Sequence, residues 1–535
     1  MTKKLQTDRS RVINAALTVG VLLLVSSLLN LLREQLLSAF YGTNSAEATA
    51  IALILPLPEL IFIIISGGAL GSAFIPVFTR FFTDHKQPDI DGASAMFSKI
   101  VTLVLLAAVV VTGIASVIAR PLFTRLFAER IAEQAGLLAL LVPLFRIMLL
   151  AQVIFGVSGV VMVTLYARQK FLIPALAVVV YALGQIVGVV LLRPNVLGLA
   201  WGMVFGALGH LLIQLPLLRR EGIRFRPKLS LADPQVRRVL WLMAPRTLGL
   251  AFSYLNLVFV PYIAQTMVIG SEAASRYAVR IMLTPQAFIG RALGTASFPT
   301  FADLAAREQY TAMQRMISDL LRLILFIGMP LTIVMVTLAQ PLIKIVFERG
   351  EYNVTSTNLT ASALVYYALA FIALSLIEIL ARAFFALEDT LTPVLIGAGQ
   401  LVLMFSLSFW LGRTLFPSLG LTGVSGIALG YSLSNWAEVA LLLFFLRGKM
   451  QGLNGRYLLA GSWRIGLAGG VMAGLIVLGW QIVGSSAEAN LLTQIITVGI
   501  ISTIGGIGYL ITCYLLRLEE LHNLASMVFA RFGRK

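Results

Sequence analysis

Long apolar runs separated by short polar breaks make up most of the chain. They lie near 12–40, 46–79, 94–119, 137–166, 172–192, 196–218, 237–268, 274–303, 314–340, 358–386, 391–412, 420–446, 464–484 and 490–516. A helix needs about 20 apolar residues to cross a bilayer, and each run reaches that length. The pattern predicts an all-α polytopic membrane protein with about fourteen transmembrane helices. The first run follows MTKKLQTDRSR, is too long for a signal-peptide core and shows no obvious cleavage site, so it reads as a retained span.

Composition sharpens this reading. The 535 residues are 59% hydrophobic and 12% charged, with a mean hydropathy of +0.91. Soluble chains carry roughly a quarter charged residues, so a soluble protein is excluded. Basic residues outnumber acidic ones 41 to 24, for a net charge of +17. In a membrane protein such an excess reflects basic cytoplasmic loops and contacts to anionic lipid, not nucleic acid. An even number of spans puts both termini on one side. Seven basic residues, Arg219, Arg220, Arg224, Arg226, Lys228, Arg237 and Arg238, lie between the sixth and seventh runs. Others fall in both tails, at Arg168 and Lys170, and at Arg447, Lys449, Arg456 and Arg464, whereas the alternate loops at 270–275 and 485–490 have none. Both termini and the 219–238 loop are therefore expected to be cytoplasmic. Within that loop, Asp233 and Pro234 predict a helix start, as N-cap and first helical residue.

The chain repeats itself. GGALGSAFIPVF at 67–78 matches GRALGTASFPTF at 290–301 at a constant offset of 223. YARQKFLIPAL at 166–176 aligns with FALEDTLTPVL at 385–395 at an offset of 219. Each match displaces a segment by six spans. Six is even, so the copies share one orientation and imply two parallel six-helix lobes, an arrangement found in transporters. The expected division is 1–222 for the first lobe, 223–450 for the second, and 451–535 for two further spans and a tail.

Charges inside spans are costly and usually face a cavity or a partner. They are Arg33, Glu34, Glu59, Arg246, Arg276, Arg280, Arg291, Glu378, Arg382 and Glu438. At about 100° per residue, Arg276, Arg280 and Arg291 fall within about 60° of one another, a cationic stripe that Pro285 blurs. Between Val239 and Val268, Arg246 has no carboxylate on its own run. Guanidinium groups keep their charge when desolvated and grip phosphate through two hydrogen bonds, so the basic spans predict an anion-binding cavity. Alternatives apply residue by residue: Arg276 at the outer interface, Arg33 snorkelling or paired with Glu34. Glu378 and Arg382, spaced i,i+4, are expected to pair with each other, with a proton or cation role for Glu378 as the alternative. Glu438, after Asn435 and Trp436, is a weak cation-site candidate. Prolines 56, 58, 245, 261, 285, 299 and 330 within spans are consistent with kinked helices around a cavity or hinge, or with ordinary membrane-helix usage. A single cysteine, Cys513, excludes an internal disulfide, and His85, His210 and His522 have no ligand-spaced neighbours. No catalytic constellation, cofactor motif or metal site stands out, so the chain is not expected to be an enzyme.

LREQLLSAFYG at 32–42, GALGSAFIPVF at 68–78, KFLIPAL at 170–176, RALGTASFPTF at 291–301, VFERGEYN at 346–353 and FFALEDTLTPV at 384–394 resemble the MurJ/MviN family. That family comprises lipid II flippases of the MOP (multidrug/oligosaccharidyl-lipid/polysaccharide) exporter superfamily. The resemblance covers about 30–450 and implies a V-shaped pair of lobes around an alternating central cavity. It also implies a groove from the last two spans for the undecaprenyl tail. Arg33 and Arg280 fall on basic positions of the family's first- and eighth-span motifs. Other charged positions of the family fall here on Ser27, Phe62, Gly67, Val279 and Leu283, while Arg246 and Arg291 stand where the family pattern is uncharged. Basic charge has moved toward the second lobe.

What the resemblance implies is a flippase that carries lipid II, the undecaprenyl-pyrophosphate-linked peptidoglycan precursor, from the inner to the outer leaflet for cell-wall synthesis. Arg280 and Arg33 would clamp the pyrophosphate, with Arg246, Arg276 and Arg291 in support. The setting is a multi-pass monomer in a bacterial inner membrane, surrounded by lipid, beside the cell-wall synthesis machinery. The alternatives are an exporter of another lipid-linked glycan, a drug/cation antiporter of the same superfamily, or a transport-inactive scaffold.

Overall fold

A computed structural model describes residues 2–66, 70–83, 88–286, 289–290, 292–450, 452–487 and 490–521. Some helix side chains, including that of Arg246, lie outside the description. Among the described residues the chain is helical without strands. It forms two compact units, Met1–Gln265 and Thr266–Lys535. The first contains α1 (Thr2–Tyr41), α2 (Ala46–Ile54), α3 (Pro56–Ser66), α4 (Leu70–Thr83), α5 (Ile90–Leu126), α6 (Ala128–Glu133), α7 (Leu137–Ala167), α8 (Leu172–Leu191), α9 (Leu197–Arg220) and α10 (Pro234–Ala264). The second contains α11 (Ser271–Gln286), α12 (Ala292–Ala306), α13 (Tyr310–Thr337), α14 (Ala339–Phe347), α15 (Val354–Ala386), α16 (Leu391–Trp410), α17 (Phe416–Ser418), α18 (Gly423–Lys449), α19 (Gly455–Ala487) and α20 (Leu491–Leu515). By contact, α10 belongs to the first unit, where it meets α2, α3, α4 and α5. The boundary at 222/223 divides the chain by its repeat instead, and we keep it as a proposal.

Twelve helices among the described residues are long and apolar enough to span a membrane. The apolar runs 237–268 and 274–303, each described only in part, supply none of the twelve. α10 is 31 residues long, and its described apolar stretch is Tyr254–Ala264. In the run 274–303 the described helices α11 and α12 have 16 and 15 residues, and residues 289–290 form a π-type turn. The run 46–79 contains α2, α3 and α4, with α3 beginning at Pro56 after a break at Leu55. Proline removes a backbone donor and crowds the preceding turn, which explains the break.

The start of α10 follows the expected chemistry. Asp233 accepts from the backbone N–H of Gln235 (2.8 Å) and of Val236 (3.4 Å), with Pro234 as the first helical residue. The repeat is visible in the backbone. α7 and α15 end alike, with Gln169 at φ 56° and Glu388 at φ 58°. In each, the next N–H reaches back five residues, Lys170 to Leu165 O (2.9 Å) and Asp389 to Phe384 O (3.0 Å). This closes the helix end by the usual left-handed capping pattern, although neither residue is glycine.

Close helix contacts hold each unit. α8 crosses α9 so tightly that a Cβ on Gly184 would lie 2.4 Å from Gly206 Cα. In the second unit α16 meets α18, and a Cβ on Gly430 would lie 2.5 Å from Ser408 N. In lipid, where no hydrophobic effect drives helices together, such backbone approach supplies the van der Waals contact. α19 and α20 pack on α13: Ile465, Met472 and Ile476 meet Ile501, Cys513 and Phe326, and the Tyr509 hydroxyl donates to Phe326 O at 2.9 Å.

Candidate functional site

In the first unit α1 carries Arg33 against α8. Its guanidinium donates to Glu34 Oε1 at 2.6 Å and to the Gln185 side-chain carbonyl. Arg33 is 8% exposed and Glu34 3%. The pairing foreseen for Arg33 is therefore present, and the charge is held inside the unit instead of snorkelling outward. One turn along α8 from Gln185, Tyr181 walls a cavity of about 420 Å³. Its other lining residues are Glu59, Phe62, Ile63, Gln152, Phe155 and Tyr254. The Phe155 ring meets Phe62 at 5.8 Å and Tyr181 at 4.5 Å, both edge-on. Behind it, buried His210 Nδ1 lies 2.6 Å from Ser158 Oγ, and Gln214 donates to Ser158 Oγ at 3.1 Å. Burying polar groups in a bilayer helix is tolerated when partners satisfy them; Ser158, His210 and Gln214 partner one another, while the Gln214 side-chain oxygen has no partner among the described residues.

In the second unit Arg276 and Arg280 lie one turn apart on α11, both half-buried. The Arg276 guanidinium sits 4.5 Å from the Tyr277 ring centroid. Tyr277 is buried against Phe347 (4.9 Å) and Tyr352 (5.7 Å), which fixes the face of α11 that turns inward. Of the three arginines expected on one stripe, Arg276 and Arg280 share the described part of α11. Arg291 lies outside the described residues. Arg246 is on α10 in the first unit, and its side chain also lies outside the description. Structure thus brings Arg276 and Arg280 together, pairs Arg33 locally, and leaves Arg246 and Arg291 as sequence candidates.

The other intramembrane charges are more clearly placed. Arg382 bonds to Glu378 through its carboxylate and, at 2.7 Å, its carbonyl, as the i,i+4 spacing foresaw. Two buried arginines were missed. Arg130 is fully buried, pairs with Glu133 (2.5 Å) and reaches Ala264 O (3.4 Å) at the end of α10. Arg322 on α13 pairs with Glu520 after α20, lies 3.8 Å from Glu519, and stacks 3.9 Å over the Tyr457 ring. Glu520 is too distant in sequence from Arg322 to leave a local signal, whereas Arg130 and Glu133 stand at the local i,i+3 spacing. Among the described residues no cluster of His, Cys, Asp and Glu could hold a metal ion. His85 and His522 lie outside the described residues.

Outside the spans, Asp389 faces Lys449 at 2.7 Å and accepts from the Thr392 N–H (3.0 Å) and hydroxyl (2.6 Å). Burial alone would raise its carboxyl, but the Lys449 ammonium and the two Thr392 donors hold it down at about 2. Lys99, through a direct hydrogen bond, lowers the Asp233 carboxyl in the same way.

Known proteins resemble this arrangement over most of its length. A family model described as "Lipid II flippase MurJ" matches residues 37–489. A "Probable lipid II flippase MurJ" of Vibrio cholerae is 27% identical over 522 residues, covering 93% of this chain and 95% of that protein. A "Lipid II flippase MurJ" of Burkholderia cenocepacia is 28% identical over 424 residues, covering 77% and 80%. Among solved structures, "Lipid II flippase MurJ, inward closed conformation" superposes with a TM-score of 0.69 at 18% identity, over 91% of this chain and 97% of that one. A multidrug resistance MATE family transporter of the MOP superfamily, in an inward-facing conformation, gives 0.67 at 15% identity, over 82% and 98%.

Proposed function

The chain belongs to the lipid II flippase MurJ family, and from that membership we propose that it carries lipid II across the bacterial inner membrane by alternating access. The observation that carries this reading is the match over residues 37–489, which includes α11 with its two neighbouring arginines. Arg276 and Arg280 sit on one helix face, where guanidinium groups suit a pyrophosphate. In this reading Arg280 and Arg33 clamp the pyrophosphate and Arg246, Arg276 and Arg291 support them. The headgroup crosses within the protein while the polyprenyl chain stays in lipid. Relatives described as flippases are transporters, so chemistry on the substrate is not part of the cycle. Both termini and the 219–238 loop face the cytoplasm, following the basic loops. A membrane potential or ion gradient resets the empty carrier, and the chain acts as a monomer beside the cell-wall synthesis machinery.

The test is complementation of a flippase-depleted strain. Arg280→Ala, expressed at the normal level, is expected to abolish growth rescue, and full rescue would remove Arg280 from the mechanism. One observation favours a second reading, a drug/cation antiporter of the same superfamily: Glu59 and four aromatic rings line the first-unit cavity, a setting that suits an organic cation. Native mass spectrometry with polyprenyl-pyrophosphate lipids and with lipophilic cations separates the two.

A further inference from the structure

The segment between α9 and α10 is fastened along the beginning of α5. Arg224 N–H donates to Ser94 Oγ (3.2 Å), Arg226 N–H to Ser98 Oγ (2.9 Å) and Lys228 N–H to Thr102 Oγ1 (3.4 Å). Ser98 and Thr102 each donate in turn to the helix carbonyl four residues back, both at 2.7 Å. The two periods fit. Every second residue of an extended strand advances about 6.8 Å, and every fourth residue of a helix about 6.0 Å. Alternate residues of such a strand share a face, so Arg224, Arg226 and Lys228 form one cationic row. They are exposed, as are Phe225, Leu229 and Leu231 beside them.

Both ends of this strap are tied by ion pairs that consume its acidic residues. Glu221 pairs with Arg168 (3.0 Å) and Lys170 (3.2 Å), and Asp233 pairs with Lys99. Among the described residues no carboxylate lies within ion-pair distance of the three cations in the row. The strap also sits where membrane helices leave the bilayer. α5 has 37 residues, about 55 Å at 1.5 Å per residue, against a hydrocarbon core of about 30 Å. The charged Asp91 and Lys99 put its first turns outside the core, and they are the turns that hold the strap.

A fixed row of cations with no ion-pair partner among the described residues, at a membrane edge, matches the chemistry of an anionic lipid surface. We propose that the strap from Arg224 to Leu231 is a docking site for the phosphate headgroups of anionic phospholipids in the adjoining leaflet. The hydroxyls of Ser94, Ser98 and Thr102 fix the spacing of the row that meets the headgroups. This reading needs only that the chain spans a membrane, and it stands apart from the transported substrate.

The test uses the full-length protein in nanodiscs of phosphatidylcholine with a minority of phosphatidylglycerol, followed by native mass spectrometry of retained lipid. Arg224→Gln/Arg226→Gln/Lys228→Gln is expected to lose preference for phosphatidylglycerol, roughly five-fold per cation at low salt. Ser98→Ala keeps every charge and is expected to lose part of it. Arg120→Gln/Arg125→Gln, at the far end of α5, is expected to keep it. A triple variant that melts like wild type in pure phosphatidylcholine yet retains the preference overturns the proposal. So does an equal loss in the Arg120/Arg125 control, and so does displacement of the lipid by free inorganic pyrophosphate, which would mark a soluble-phosphate site.

Discussion

Gly71 and Gly294 occupy the same position of the internal repeat, and each faces the same partner position of its own unit. A methyl group added at Gly71 would touch Val163 Cγ2 at an ordinary 3.7 Å, whereas one added at Gly294 would come within 2.6 Å of Arg382 Nη1. Val163 and Arg382 are related by the offset of 219 that relates 166–176 to 385–395. The duplicated backbone is the same; the second unit has laid a guanidinium over the glycine where the first has a methyl. A few residues on, the polarity is inverted. Lys170 pairs with Glu221 at the end of α9, and its counterpart Asp389 pairs with Lys449 at the end of α18. The repeat conserves geometry while its charges drift, which is how one architecture comes to carry different electrostatics in its two halves.

The largest expected effect tests where buried charge is most tightly held. Arg33 and Glu34 have side chains 10% and 4% exposed, against 22% and 26% for Arg382 and Glu378. Removing one partner of a buried pair costs about 3–5 kcal/mol, because the other charge stays in low dielectric. Arg33→Met is therefore expected to lower thermal stability in detergent by that order, and Arg382→Met by roughly half as much. Equal losses would show that burial of the pair does not set its worth.

Next in size is the glycine contact itself. Gly294→Ala must displace a guanidinium that is tied to Glu378, and crowding of this kind typically costs about 1–3 kcal/mol. In a double-mutant cycle with Arg382→Ala the loss is expected to vanish, giving a coupling of about 1 kcal/mol or more. Additive effects would mean that Arg382 moves aside freely.

How much of this was readable beforehand depended on the distance between partners. The capping of α10 by Asp233, the Glu378–Arg382 pair and the duplicated segments are local patterns, and all are present. Continuity is less legible: in the run 46–79 Pro56 opens a new helix after Leu55, which apolar composition alone does not show. The affiliation of α10 with the first unit depends on contacts that no periodicity records. Arg322 with Glu520 joins α13 to the chain beyond α20, across almost 200 residues, and only a folded chain reveals it.

The inverted ion pairs predict a difference in acid sensitivity of smaller size. Asp389 has its carboxyl depressed from 3.8 to about 2, so its contribution is complete above about pH 4 and is lost as pH falls toward 2. With Lys449 partly exposed, that contribution is about 1 kcal/mol. Asp389→Asn is expected to reduce stability by this amount at pH 7 and to flatten the decline between pH 4 and 2. An unchanged acid limb would show that the carboxylate is not held by Lys449.

The smallest effect is the most discriminating. Gly71→Ala places a methyl group against Val163 Cγ2 at 3.7 Å, with nothing nearer among the described residues. Gly71 lies within α4, where alanine is the better helix former, and replacing glycine at a compatible helical site gains about 0.4–1 kcal/mol. The expected result is a melting temperature unchanged or slightly raised, from the same substitution that damages the second unit at Gly294. If Gly71→Ala and Gly294→Ala destabilise alike, the glycine is required by the repeated helix itself, and Arg382 adds nothing. If only Gly294→Ala does, the requirement belongs to the guanidinium, and the two copies have diverged in what their shared glycine is for.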